Sequence, residues 1–151
     1  MKRPIFKFAF LFMGLALVAC SDDDNDDRII EGQDLPEKVQ SFVTTNFPDA
    51  DYSRIEMNLT AETDGTIYEV DLNNGFEIDF TAEGDWVNID GNNQEIPEGI
   101  LPENIASYIA ENYTSLFVTE IDTEADALEV NLSNDLDVFF DSEGNFLREE
   151  K

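Results

Sequence analysis

EVDLNNGFEIDFTAEGDW, Glu69–Trp86, returns in altered form sixty residues later as EVNLSNDLDVFFDSEGNF, Glu129–Phe146. Glu69 matches Glu129, Val70 matches Val130, Leu72 matches Leu132, Phe80 matches Phe140, and Glu83-Gly84 matches Glu143-Gly144. An internal repeat constrains architecture before any single element is assigned. Within the first copy Val70, Leu72, Phe76, Ile78 and Phe80 are apolar, with Glu69, Asp71, Glu77 and Asp79 between them. Successive side chains of a strand point to opposite faces, so this alternation predicts an antiparallel hairpin with one dry face and one wet. Asn73-Asn74-Gly75 is its turn, because Asn and Gly tolerate the positive φ of tight hairpins. Ser133-Asn134-Asp135 stands there in the second copy, without the glycine. Trp86-Val87-Asn88-Ile89 and Phe146-Leu147 begin a further strand, and Trp86 reads as core at its start.

Working outward, Leu35-Pro36-Glu37 and Leu101-Pro102-Glu103 each open a helix. Proline in a first turn forfeits no helical hydrogen bond, and an acid there suits the helix dipole. Val39, Phe42, Val43 and Phe47 form one apolar stripe, and Ile105, Tyr108, Ile109 and Tyr113 the other. Pro48 stops the first helix. Ile55, Met57 and Leu59 mark a strand before the first hairpin, as Phe117, Thr119 and Ile121 do before the second. The expected fold is α+β: two tandem repeats, 35–91 and 101–149, each one helix followed by about four antiparallel strands, within a single domain 35–151. Units of this size are marginal alone, so both helices should pack on one sheet face and leave the other open. On that open face the alternation places Glu69, Asp71, Glu77, Asp79, Glu129 and Asp137, with Phe139 as the apolar exception.

The N-terminus is a leader. Lys2-Arg3 precede an apolar run from Phe8 to Val18, too short to span a bilayer and suited to a signal peptide over residues 1–19. Leu17-Val18-Ala19-Cys20 is similar to a bacterial lipobox, which implies cleavage before Cys20 and lipid on its sulfur. Cys20 is the sole cysteine and has no disulfide partner within the chain. Several acyl chains, each buried methylene contributing about 0.8 kcal/mol, make a lasting anchor. Ser21 to Asp27 is nearly all acidic, which predicts an extended tether over residues 20–34. Its placement resembles the acidic tag of surface-exposed outer-membrane lipoproteins; the periplasmic face is the alternative.

Net charge is −27, and without Lys2, Arg3 and Lys7 it becomes −30, five basic residues against 35 acidic. Nucleic acid is excluded as a partner, since binding it needs Lys and Arg to displace counterions. The chain has no histidine, which with the single cysteine removes His-based acid–base chemistry, Cys nucleophiles and N/S zinc sites. Lys38 lies off the apolar stripe and reads as a solvated helix residue. Carboxylates are in surplus, but glycoside hydrolysis needs a pair held in a cleft with one pKa raised. No catalytic, cofactor or metal site follows from these residues. The acidic run lacks the glycine turn and closing Glu of an EF-hand loop, so calcium remains only an alternative.

The segments LPEKVQSFVTTNF, YEVDLNNGFEIDF and EGDW, together with their second copies across Leu35 to Glu149, resemble the PepSY-like, β-lactamase-inhibitor-protein-like lipoproteins of bacterial envelopes. The resemblance implies a small non-enzymatic binding or inhibitor-like module. The expectation is a lipid-anchored outer-membrane protein engaging a protein partner, with a basic one suiting its charge. The alternative is a calcium-binding structural protein of the envelope.

Overall fold

The computed structural model describes residues 27–151. Cys20 and most of the acidic run therefore lie outside the described residues. The strands are β1 (Asp27–Ile29), β2 (Tyr52–Asn58), β3 (Tyr68–Leu72), β4 (Glu77–Phe80), β5 (Trp86–Asp90), β6 (Val118–Thr123), β7 (Leu128–Leu132), β8 (Leu136–Phe140) and β9 (Phe146–Glu150). Helix α1 (Glu37–Asn46) precedes β2, and α2 (Glu103–Asn112) precedes β6. Every strand pairs antiparallel with its neighbours in sequence, giving one nine-stranded sheet ordered β1 to β9.

This overturns the expectation of two tandem helix-plus-strand repeats. β5 bonds to β6 in the register Asn88↔Asp122, Ile89↔Ile121, Asp90↔Glu120, so the sheet runs through without a seam. The recurring sequence is absorbed into one mostly-β structure because an unpaired β5 would expose a row of backbone donors and acceptors. One hydrophobic cluster serves the whole, from Leu35 and Val39 through Ile89 and Ile121 to Val138 and Phe140. The tether boundary also shifts. Asp27, Arg28 and Ile29 pair with Asn58, Met57 and Glu56, and Gly32–Asp34 forms a 3-10 turn. Of the segment 20–34, the part from Asp27 onward belongs to the fold.

The core runs perpendicular to the strands. Ile55, Val70, Ile78, Ile89, Ile121, Val130 and Val138 stand opposite one another across seven strands, all buried. Both helices lie on this side: Phe42 of α1 meets Phe80 edge-on at 5.6 Å, and Tyr108 of α2 meets Phe140 edge-on at 5.4 Å. Phe80 and Phe140 are fully buried. Trp86 is only partly buried against the core. Two expected strand residues fall outside: Leu59 follows β2 and is exposed, and Phe117 precedes β6 with 37% exposure. A bulge between Val118 and Glu120 breaks the alternation there, so Val118 and Ile121 face the core and Thr119 is buried polar.

Candidate functional site

The second face of the sheet carries the acids. Register alone assembles them into two rows. One runs Glu56, Glu69, Asp79, Asn88, Asp122, Glu129, Phe139, Arg148 from β2 to β9. The next runs Arg54, Asp71, Glu77, Asp90, Glu120, Asn131, Asp137, Glu150. Neighbouring strands lie about 4.8 Å apart, and like charges directly opposite repel. All the sequence-predicted acids share this face. Glu69 stands opposite Asp79, and Asp71 opposite Glu77; Glu129 faces Phe139, and Asp137 faces Asn131. Glu77 is exposed and the other five are half-buried.

Phe139 is not the open aromatic anchor its alternation suggests. It is 6% exposed, and the Arg148 guanidinium lies over its ring at 3.7 Å. Both arginines of the rows are already committed, Arg54 to Glu56 and Arg148 to Glu150 at 2.6 Å. Amides quiet some acids: Asn58 donates to Glu69 at 3.1 Å and to Glu62 at 3.2 Å, Asn92 donates to Glu77, and Asn88 and Asn131 both donate to Glu120. Among the described residues no side-chain donor reaches Asp79.

The electrostatics follow from this geometry. Burial first, then the charges of Glu69, Asp64, Glu62 and Glu77, push the Asp79 carboxyl up to about 7. Burial also raises Asp122, helped by Glu124, Glu120 and Asp64, and raises Glu129, helped by Asp137, Asp122 and Glu124. Glu62 moves up as well, from burial and then from Glu69, Asp64 and Asp27, against the lowering bond from Asn58. Glu120 and Asp122 flank core-facing Ile121 and lie on this face too; outward acids read from the two hairpins alone do not include them, because only the pairing of β6 with β5 and β7 brings them beside the others. Beside them a polar hollow of about 270 Å³ is lined by Asp90, Glu120, Asn131, Asp135 and Asp137 among others. The Asn131 Oδ1 is buried there without a partner. Among the described residues, no three His, Cys, Asp or Glu side chains are grouped to hold a metal ion. Nor is any described helix long and apolar enough to cross a membrane.

A sheet backed by two helices on one side and carrying carboxylate rows on the other defines a small α-and-β module with an open acidic face. The chain belongs to the family described as "Putative beta-lactamase-inhibitor-like, PepSY-like", whose profile matches residues 24–64 and 66–148. Three solved structures are similar. One is a calcium-regulated periplasmic protein, so named provisionally, from Bacteroides thetaiotaomicron: 28% identity, 83% of this chain and 98% of that one, TM-score 0.76. The second is a periplasmic protein of the DUF2874 family from Bacteroides vulgatus, also provisionally named, at 27% identity, covering 85% and 99%, TM-score 0.76. The third, from Bacteroides vulgatus and provisionally named a periplasmic protein of unknown function, has 27% identity, covers 83% and 99%, and has a TM-score of 0.75. Among curated proteins, none matches.

Proposed function

We propose that this chain is a non-catalytic binding module of the bacterial envelope, anchored by lipid on Cys20, whose acidic sheet face takes a cationic protein partner. The observation carrying the reading is Asp79: a half-buried carboxyl among four other acids, with a pKa raised to about 7 and no counter-charge of its own. A basic partner would relieve that repulsion and associate quickly by electrostatic steering. The inhibitor-like family and the periplasmic relatives support a module acting outside the cytoplasm. The lipobox-like Leu17 to Cys20 and the acids after it support an outer-membrane anchor, facing the cell surface or the periplasm. Seven residues of chain lead from Cys20 to Asp27 of β1, a reach of about 25 Å at most, so an anchored chain meets its partner close to the membrane.

The test compares the Cys20→Ala protein with the same protein carrying Glu77→Gln, Asp79→Asn and Asp137→Asn as bait in envelope extracts over a salt series. Loss of salt-sensitive capture in the neutralised variant is expected. Equal capture by both removes the acidic face from the binding site. Cys20→Ala should itself leave the membrane fraction, and retention there would end the lipid-anchor reading.

A second reading is that calcium stabilises this face, since a similar protein is described as calcium-regulated and the Asn131 Oδ1 lies buried and unpartnered beside Glu120, Asp90 and Asp137. Without a ready-made group of ligands, calcium would neutralise the rows rather than sit in a preformed cage. Calcium gives up its water to carboxylates more readily than magnesium, so at millimolar levels and equal ionic strength it should raise the melting temperature more. Equal effects of the two ions would dismiss it.

A further inference from the structure

The two helices differ along the flank where each meets the chain leading into it. On α1 the fourth residue is Gln40, whose Nε2 donates to the Leu35 carbonyl at 2.8 Å, and the eighth is Thr44. Leu35 is buried. On α2 the fourth and eighth residues are Ala106 and Ala110, both exposed, and Leu101 is left partly uncovered. The strand side differs as well. Asn73 N–H bonds to the Asp51 carbonyl, and in the same arrangement Ser133 N–H bonds to the Phe117 carbonyl. An exposed phenylalanine thus stands where the first half has an aspartate. These changes open a groove of about 630 Å³ floored by Ile109 and Leu116.

A solvent-facing phenylalanine beside two alanines and an apolar floor has the make-up of a ligand groove, which is mostly apolar and of a few hundred Å³. Its charge limits the occupant. Glu95, Glu98 and Glu103 line it and no basic residue does. We infer that this groove is a docking site, separate from the acidic sheet face, for a peptide segment presenting one large apolar side chain flanked by lysine or arginine. The apolar side chain fills the space beside Ala106 and Ala110 and packs on Phe117, while its flanking cations meet the three glutamates.

The probe is a capped peptide, Lys-Lys-Gly-Phe-Gly-Lys-Lys, titrated into residues 21–151, which contain every described element, with binding followed by amide and methyl NMR shifts. Saturable shifts at Ala106, Ala110 and Phe117 are expected, and they should vanish when Ser replaces the peptide's Phe. Ala106→Gln with Ala110→Thr writes the α1 side chains into the groove and should weaken binding roughly tenfold or more, the scale of losing an apolar anchor. Glu77→Gln with Asp79→Asn on the sheet face should leave these shifts in place. Should the double alanine variant not fold, Phe117→Asp, which restores the residue type of Asp51, is read instead. Shifts confined to the sheet-face acids, or unchanged in the filled groove, overturn the inference and leave charge attraction only. Absence of saturation overturns it too. Groove shifts that follow protein concentration without peptide would assign the groove to a second copy of the chain and overturn it equally.

Discussion

Glu69 and Asp79 stand directly opposite each other on β3 and β4, two half-buried acids with no cation between them. The folded state therefore holds a proton on Asp79 up to about pH 7, whereas the unfolded chain releases it near the ordinary aspartate value of 3.8. Between those values the native state binds more protons than the unfolded one, so stability falls as pH rises. The contribution is full below about pH 4 and gone above about pH 7. The melting temperature should thus be higher at pH 5 than at pH 8, with Asp79 alone contributing roughly 1–3 kcal/mol after solvent screening. Asp79→Asn should flatten the profile and raise stability at pH 8. An unchanged slope in that variant would move the effect elsewhere.

Asp141 pulls the opposite way. The N–H of Asn145, then its side-chain amide, hold the Asp141 carboxyl below its usual range. Its contribution is present above the ordinary aspartate value and lost as pH falls below it, so the stability maximum should lie near pH 4 to 5. A melting-temperature scan that kept rising toward pH 3 would contradict this.

Phe80 and Phe140 should be equally costly to truncate. Each is fully buried and receives an aromatic edge from a helix, Phe42 in one case and Tyr108 in the other. Replacement by alanine removes the ring and leaves a cavity, which costs about 3–5 kcal/mol. Urea unfolding of Phe80→Ala and Phe140→Ala measures both. A near-neutral result in either would mean that its helix does not pack as described.

The local elements were legible because each rests on a short-range signal. Pro36 and Pro102 start helices whose stripes pack against the core as spaced, and Gly75 turns the first hairpin at φ 92°. The architecture was not legible. Pairing of Ile89 with Ile121 joins segments on either side of a helix, and nothing local in either distinguishes a strand meeting its neighbour from one ending a unit. Asp27-Arg28-Ile29 reads as the end of an acidic run; only the presence of the β2 edge makes it a strand. The site was half legible for the same reason. Alternation in the two hairpins found Glu69, Asp71, Glu77, Asp79, Glu129 and Asp137, but Glu120 and Asp122 join them only through the pairing of β6 with β5 and β7, and the cover of Phe139 comes from Arg148 on another strand.

Asp135 offers a stabilising change. It sits at φ 60° in the β7–β8 turn, where the first hairpin has Gly75 at φ 92°. A side chain in the left-handed region costs roughly 1–2 kcal/mol, less for aspartate than for most residues. Asp135→Gly should therefore raise stability by about 0.5 kcal/mol, the relief of strain being offset by glycine's greater freedom when unfolded. Chemical denaturation decides it, and a destabilised variant would mean that the Asp135 side chain contributes more than its backbone costs.

The last expectation concerns the free edge. Along the core row the residues are Val130, Val138 and then Glu149, a carboxylate where the row would otherwise continue with an aliphatic side chain. It is held there by Tyr113, whose O–H donates to Glu149 Oε2 at 2.7 Å. Burial and this bond push the Tyr113 phenol up to about 12, so the pair persists across the neutral range. A charge on the helix side of an edge strand discourages another sheet from adding to it, because the added strand would have to cover that charge. The apolar Phe146 and Leu147 beside it are exposed, so the edge has the means to associate once the charge is gone. Glu149→Val should therefore form larger, concentration-dependent species in sedimentation velocity than the unchanged protein does, whereas Tyr113→Phe, which keeps the carboxylate, should not. If Glu149→Val sediments as the unchanged protein does over the same concentrations, the charge does not guard this edge, and the bulge between Phe139 and Phe140 that twists β9 is what keeps other strands away.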